Sequence, residues 1–152
     1  MLTEDIRQLI YDATSRNNDI ARRAIHKLKT KDLLEGADGV LRGVDFGAQI
    51  NNVGTEYDLE RINFGADLRN LDLRRVNLEN ARMWSVNFSF SDMRGSNLSG
   101  AQLNSSNLDG VIFDDANFTN SDLTMCHSRG RQQVQGSISP RNASFENAVF
   151  NN

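Results

Sequence analysis

Ala66-Asp67-Leu68-Arg69-Asn70, Leu71-Asp72-Leu73-Arg74-Arg75 and Val76-Asn77-Leu78-Glu79-Asn80 open a run of twelve five-residue blocks that ends at Met125. The centre of every block is Leu, Met or Phe: Leu68, Leu73, Leu78, Met83, Phe88, Met93, Leu98, Leu103, Leu108, Phe113, Phe118 and Leu123. Two positions before each centre the residue is small or aliphatic, from Ala66, Leu71 and Val76 to Val111, Ala116 and Ser121. Between them stands Asn or Asp in nine of the twelve blocks, the exceptions being Arg82, Gln102 and Ile112.

A period of five suits neither ordinary element. On an α-helix each step advances about 140° past a full turn and spreads the centres round the whole circumference. In a continuous strand an odd repeat throws successive centres onto opposite faces. Both objections vanish if each block is a short extended segment followed by a corner. The small residue and the centre then point inward, the Asn or Asp points outward, and the last two residues reset the alternation. Those last two positions include Asn70, Asn80, Gly95, Gly100, Gly110 and Asn120, residues suited to turns. The chain therefore winds round an apolar axis.

The blocks Ala66-Asp67-Leu68-Arg69-Asn70, Val76-Asn77-Leu78-Glu79-Asn80 and Ala116-Asn117-Phe118-Thr119-Asn120 resemble the A(D/N)LXX motif of the pentapeptide-repeat proteins. That resemblance implies an all-β solenoid, a right-handed quadrilateral β-helix with four blocks per turn, here with an N-terminal α-helical cap. Residues twenty apart then fall into columns, Leu68 with Phe88 and Leu108, Leu78 with Leu98 and Phe118. Adjacent coils are expected ~4.8 Å apart. Each buried centre contributes roughly 1.5–3 kcal/mol of transfer free energy, so twelve of them make a core from a narrow rod. The inward Ser residues require backbone or water partners.

Outside the regular blocks the pattern changes. Leu2, Ile6, Leu9, Ile10 and Ala13 recur at helical spacing with Thr3 as N-cap. Asn18 or Asp19 starts a second helix with Ile20, Ala21, Ala24, Ile25 and Leu28 on its apolar side, and Gly36 ends the helical reading. Residues 1–36 are read as a cap over the first coil or as a partner-binding hairpin. The β-helix is assigned to residues 37–152, with regular coils over 66–125. Between 37 and 64 the centres Phe46, Ile50, Thr55, Leu59 and Phe64 alternate four- and five-residue steps, as in one or more imperfect coils. Residues 126–142 carry Arg129, Arg131, Arg141 and the single proline, Pro140, and read as a basic loop. Terminal blocks centred on Phe145 and Phe150 follow over 143–152.

Function classes narrow quickly. The net charge of −3 argues against direct nucleic-acid binding and against an anionic membrane surface. Cys126 is the only cysteine, so no internal disulfide forms. No signal segment or membrane span is evident, which places the protein in the cytoplasm. His26 lies among helix residues and reads as solvated. Cys126 and His127 adjoin, but neighbours in an extended chain point opposite ways, which opposes a thiolate–imidazole pair. Two histidines and one cysteine make no zinc set, and no phosphate loop or dinucleotide fingerprint is present. The expectation is a non-enzyme with no cofactor and no metal.

Surface residues point to a protein partner. Residues 61–95 hold six arginines against four acids, whereas residues 96–128 hold Asp109, Asp114, Asp115 and Asp122 with no Lys or Arg. Trp84 and Phe90 break the outward polar rule at corner positions, where with Arg82 and Arg94 they resemble an interface anchor, or else pack beneath the Arg129–Arg141 loop. Candidate partner-binding residues are thus Trp84, Phe90, Arg82, Arg94, Asp109, Asp114, Asp115, Arg129 and Arg131. Phe145 and Phe150 are the candidate homodimer interface, unless the loop covers that end. The leading expectation is a rigid rod presenting faces, a loop and a helical cap to a protein. The family resemblance implies an alternative, a DNA mimic that binds DNA gyrase or topoisomerase IV and modulates or protects it.

Overall fold

The computed structural model describes residues 2–47 and 65–128. The chain begins with helix α1 (Glu4–Ala13), whose N-cap Thr3 accepts from the Ile6 amide and whose first turn carries Glu4 and Asp5. Helix α2 (Asn18–Thr30) is capped by Asn17, which accepts from the amides of Asp19 and Ile20. It stops before Gly36. Asp32 adopts a left-handed φ of 54°, Leu33 N–H reaches the Leu28 carbonyl and Asp32 N–H reaches the Lys29 carbonyl. That pair of bonds is a Schellman ending with Asp in the place glycine usually takes. Leu9, Ala13, Ala21, Ala24, Ile25 and Leu28 are buried, but Leu2 and Ile20, expected on the apolar faces, are exposed.

From Asp67 onward each outward residue forms a parallel bridge with the residue twenty further on, from Asp67 with Asn87 to Asn107 with His127. Four blocks therefore make one coil. Every one of the twelve centres is buried, the most exposed being Phe113 and Leu123 at 5%. Extended strands are absent among the described residues, which show isolated bridges instead. The reason is length: two extended residues precede each centre, and the corner follows at once.

Three backbone bonds join each side to the next coil. Asn87 N–H donates to the Ala66 carbonyl, Leu68 N–H to the Asn87 carbonyl, and Asn70 N–H to the Ser89 carbonyl, at 3.1, 2.8 and 3.0 Å. The same triplet recurs side after side. Corners are closed by the centre's carbonyl accepting the amide three residues on, as in Ala81 N–H to Leu78. All twelve residues that end a corner have positive φ, and only Gly95, Gly100 and Gly110 among them are glycine. A positive φ at the third position of a four-residue turn is the type II requirement.

The Asn/Asp rule has a direct cause. In all nine blocks that carry Asn or Asp, its side-chain oxygen accepts the amide two residues later, as in Asn107 to Asp109 at 2.9 Å and Asp122 to Thr124 at 2.9 Å. These are Asx turns, and each ties the outward residue to the corner it precedes. The inward serines are satisfied too. Ser96 and Ser121 donate to the carbonyls of Met93 and Phe118 in their own corner. Ser91 and Ser106 reach across to Leu68 and Met83 in the preceding coil and accept the amides of Leu71 and Val86. No buried side-chain polar atom among the described residues lacks a partner.

Residues 44–46 belong to the preceding coil. Asp45 bridges Arg82, Phe46 N–H donates to the Arg82 carbonyl, and Phe46 is 1% exposed. The next inward residue is Ala66, whose N–H reaches the Phe46 carbonyl at 2.8 Å, the bond that closes the ordinary corners from Leu73 onward. Gly47 and Gly65 thus hold the two corner positions. A Cβ at Gly65 would lie 2.7 and 2.8 Å from the Trp84 and Phe46 carbonyl oxygens, so only glycine fits there. The expected centres Ile50, Thr55, Leu59 and Phe64 lie outside the described residues.

Candidate functional site

The corners decide what the rod displays. Trp84 follows the centre Met83 and is 45% exposed; Phe90 ends the corner after Phe88 and is 50% exposed. By block order these corners bound the two edges of one side of the rod. The outward residues of that side are Asp67, Asn87, Asn107 and His127. Phe90 has φ of +62°, a conformation costly for a bulky side chain, and its ring lies where a side chain at Gly110 would otherwise project. Ile112, standing where Asn or Asp is the rule, and Met125, at a corner end, are exposed as well. Sequence reasoning singled out the two aromatics and passed over Ile112 and Met125. The signal for Ile112 was its place among the three exceptions.

Arginines expected to frame the aromatics lie elsewhere. Arg82 is on the side before Trp84, 4.0 Å from Asp45. Arg94 is one full side beyond Phe90 and pairs with Asp92 in its own block. The structure shows the basic band to be largely neutralised. Arg69 pairs with Asp67 at 2.8 Å, Arg74 with Asp72 at 2.8 Å and Arg75 with Glu35 at 3.3 Å. The cause is geometric: an Asp that closes an Asx turn presents its carboxylate to the side chain two residues on. The Asp-x-Arg spacing at 67/69, 72/74 and 92/94 carried that signal in the sequence.

One side is consequently a charge ladder. Lys29 from α2 reaches Asp72 at 2.9 Å, Asp72 holds Arg74, Arg74 stands 3.8 Å from Asp92, and Asp92 holds Arg94. Asp114 lies next in that direction and helps to raise the Arg94 pKa, though less than Asp92 does. Hydrogen bonding from Arg74 holds Asp72 well below the ordinary carboxylate range, against the opposing effect of partial burial. Arg94 does the same for Asp92. On another side the outward residues are amides, Asn77, Asn97 and Asn117, with Asn117 Nδ2 donating to Asn97 Oδ1 at 3.3 Å. A shallow groove between residues 35–37 and that side is lined by Asn77, Gly95 and Asn97.

Chemistry at the one thiol is disfavoured by its setting. Cys126 Sγ lies on the inner side, donating to the Leu103 carbonyl at 3.0 Å, and burial pushes its pKa up to about 11. His127 is the outward bridge residue, so the two adjacent side chains are kept apart. No group of three or more His, Cys, Asp or Glu among the described residues could hold a metal. No described helix is long and apolar enough to cross a membrane. Asp109, Asp114 and Asp115 lie at two successive corners of the last described coil. Arg129, Arg131, Phe145 and Phe150, like the Arg129–Arg141 loop and the terminal blocks, lie outside the described residues.

Residues 64–100 and 96–127 match the family model for pentapeptide repeats, with eight copies. No curated protein matches the chain. Among solved structures, the chain is similar to a pentapeptide repeat protein from the cyanobacterium Cyanothece 51142. The identity is 19% and the TM-score 0.49, over 84% of this chain and 92% of that one. It is also similar to a pentapeptide repeat protein of the Arabidopsis thaliana thylakoid lumen, at 21% identity and a TM-score of 0.28 over 75% of this chain and 68% of that one.

Proposed function

We propose that this chain, a pentapeptide-repeat protein across residues 64–127, is a non-enzymatic protein-interaction module. The observation that carries the reading is the pair of exposed aromatics, Trp84 and Phe90, on the two edges of one side. Phe90 keeps a bulky ring at a position where glycine, asparagine or serine serves most other corners, and strain of that kind concentrates where function needs it. Large aromatics on a rigid frame bind at small entropic cost. The reading takes the coil as right-handed, as in the family, and the protein as cytoplasmic. Affinity capture from the source cell tests it: proteins retained by the wild type should be lost from the Trp84→Ala/Phe90→Asn variant. If the wild type and the variant retain the same proteins, the aromatics are not the anchor.

A second reading, a DNA mimic acting on DNA gyrase or topoisomerase IV, draws on residues 96–128, which hold four aspartates and no Lys or Arg. Under it the Asp109→Asn/Asp114→Asn/Asp115→Asn variant loses an effect on gyrase supercoiling that the wild type exerts. A wild type that neither inhibits nor protects gyrase at micromolar concentration ends that reading.

A further inference from the structure

Helix α2 carries a charge that its own fold does not use. Residues 16–31 hold Arg16, Arg22, Arg23, Lys27, Lys29 and Lys31 against Asp19 alone, in a chain whose net charge is −3. The coil neutralises its arginines with the aspartates of their own Asx turns. Of the six cations here, Lys29 alone meets a carboxylate among the described residues, Asp72 at 2.9 Å. Arg22 and Arg23 bond to oxygens of the helix itself, Asn18 Oδ1 and the Asp19 carbonyl. The helix dipole accounts for Lys27 and Lys29 in the last turn. It does not account for Arg22 and Arg23, which come earlier, nor for Arg16, just before the N-cap Asn17.

The helical period gathers these cations on one face. Ala21, Ala24, Ile25 and Leu28 are buried, and Arg22, Arg23 and Lys27 stand exposed on the solvent side. Arg23 and Lys27 are four residues apart, about 6 Å along the axis. Ile20, exposed despite its type, lies three residues before Arg23 and borders the same face. The helix is tied down at both ends. Asn18 donates to the carbonyls of Asp67 and Arg69, and Lys29 to that of Arg74. The face is thus presented on a fixed frame.

We propose that this face of α2, Ile20 with Arg22, Arg23 and Lys27, docks an acidic segment of a protein partner that carries an apolar side chain among its carboxylates. It adds to the interaction module proposed above, on whose reading it rests, a second surface carried by residues other than Trp84 and Phe90. Charge complementarity sets the sign of the partner. Its class follows from the surroundings. A nucleic acid offers a long row of phosphates and gains from a basic surface that runs on. Here the stripe is no longer than the 13 residues of α2, and the rest of the chain is more acidic than the whole. An anionic bilayer takes an amphipathic helix by its apolar face, and that face of α2 is buried in the core shared with α1 and the coil. A short acidic segment needs neither a long stripe nor a free apolar face. Its carboxylates meet the guanidinium forks of Arg22 and Arg23, and its apolar side chain covers Ile20. Because the frame is fixed, the cost of ordering falls mainly on the partner.

Selection of a random peptide library on the full chain, with the Arg22→Gln/Arg23→Gln/Lys27→Gln variant as soluble competitor, tests this. Glutamine keeps helix propensity, so the variant should retain the wild-type circular dichroism and melting temperature. We expect the enriched peptides to be rich in Asp and Glu around a Leu, Ile or Phe. The best of them, labelled and titrated by fluorescence anisotropy, should bind the variant at least about tenfold more weakly than the wild type. Ile20→Ala should weaken binding severalfold, and only for a peptide that keeps its apolar residue. A failure to enrich acidic peptides overturns the proposal. So does a single-stranded DNA oligonucleotide of the same charge, or a phosphatidylserine vesicle, that binds as tightly as the peptide, because α2 would then attract any polyanion. The Trp84→Ala/Phe90→Asn variant should bind the peptide as the wild type does. A failed selection therefore leaves the aromatic anchor untouched, and a capture experiment that ignores the aromatics leaves α2 untouched.

Discussion

Residues 2–47 and residues 65–128 meet the same physical demand, pairing the backbone groups of a coil edge, by opposite means. The coil does it by repetition. One triplet of bonds and one Asx turn serve side after side, so any block can stand in for another of similar size. The N-terminal segment does it piecemeal, with an amide here, an ammonium there and a stretch of irregular backbone between. Repetition makes stability a property of the array, spread over nearest-neighbour contacts. Piecemeal closure concentrates it in a few residues, each without a substitute. Mutations should therefore act differently in the two regions, and the expected sizes follow from which bonds each one breaks.

The largest effect is expected at the middle of the array. Leu98 is fully buried, in the column between Leu78 and Phe118. Leu98→Asp places a carboxylate there with no partner, at a cost of more than about 4 kcal/mol. Thermal unfolding followed by circular dichroism should show no cooperative transition. A variant as stable as the wild type would mean that the array tolerates a defect in one block, and that the repeat confers far less cooperativity than its shared core implies.

A much smaller effect is expected where the two regions join. Phe46 and Ala66 are bonded as neighbours round a corner, with Gly47 and Gly65 in the corner positions. Removing residues 48–64 and joining Gly47 to Gly65 should leave a folded coil. Shortening the connection lowers its closure entropy, so the gain in stability is at most about 2 kcal/mol. Chemical denaturation measures it. A variant that fails to fold would show that the removed residues belong to the coil, as the ragged pattern of four- and five-residue steps had suggested.

That junction also marks where the sequence stops being legible. The twelve blocks announce their centres, small residues and corners because each position repeats a single physical task. The helices are legible from spacing and caps, Thr3 above all. The Schellman ending at Asp32 was hidden because Asp takes glycine's place there, and Gly36 drew the boundary instead. Nothing local in residues 34–46 reveals that Leu34 pairs with Asn77 or Phe46 with Ala66, since those bonds join residues far apart in the chain. The Asp-x-Arg pairs were present in the sequence. Counting charges by segment, however, treated as a basic band what is locally neutral.

The repeat itself can be probed by comparing a block that keeps the Asx turn with one that does without. Asn107 accepts the Asp109 amide at 2.9 Å, whereas Gln102 holds the equivalent position one block earlier and makes no such bond. Asn107→Ala should cost about 1 kcal/mol, the net value of one hydrogen bond, and Gln102→Ala close to nothing. Equal losses at the two positions would mean that the Asn/Asp rule reflects turn propensity alone and not the bond.

The smallest effect concerns one of the ion pairs that link the two regions, Lys29 with Asp72. Asp72 also accepts from Arg74, and these partners hold its pKa below the usual carboxylate range in the folded chain. A depressed carboxylate stabilises the fold most above its unfolded pKa of about 3.9, and that contribution is lost as pH falls toward the folded value. Asp72→Asn keeps the side-chain oxygen that closes the Asx turn on Arg74, so it removes charge and little else. The wild type should therefore melt above Asp72→Asn at pH 7, and the gap should close as the pH approaches about 2. Because the Asp72 side chain is 44% exposed, solvent and salt screen the interaction. The gap should be no more than a few degrees, roughly what such a pair is worth in a small domain, and should shrink at high ionic strength. A gap that persists unchanged at low pH would mean that Asp72 acts through its shape, as the outward residue of an ordinary block, and that charge does not hold α2 to the coil.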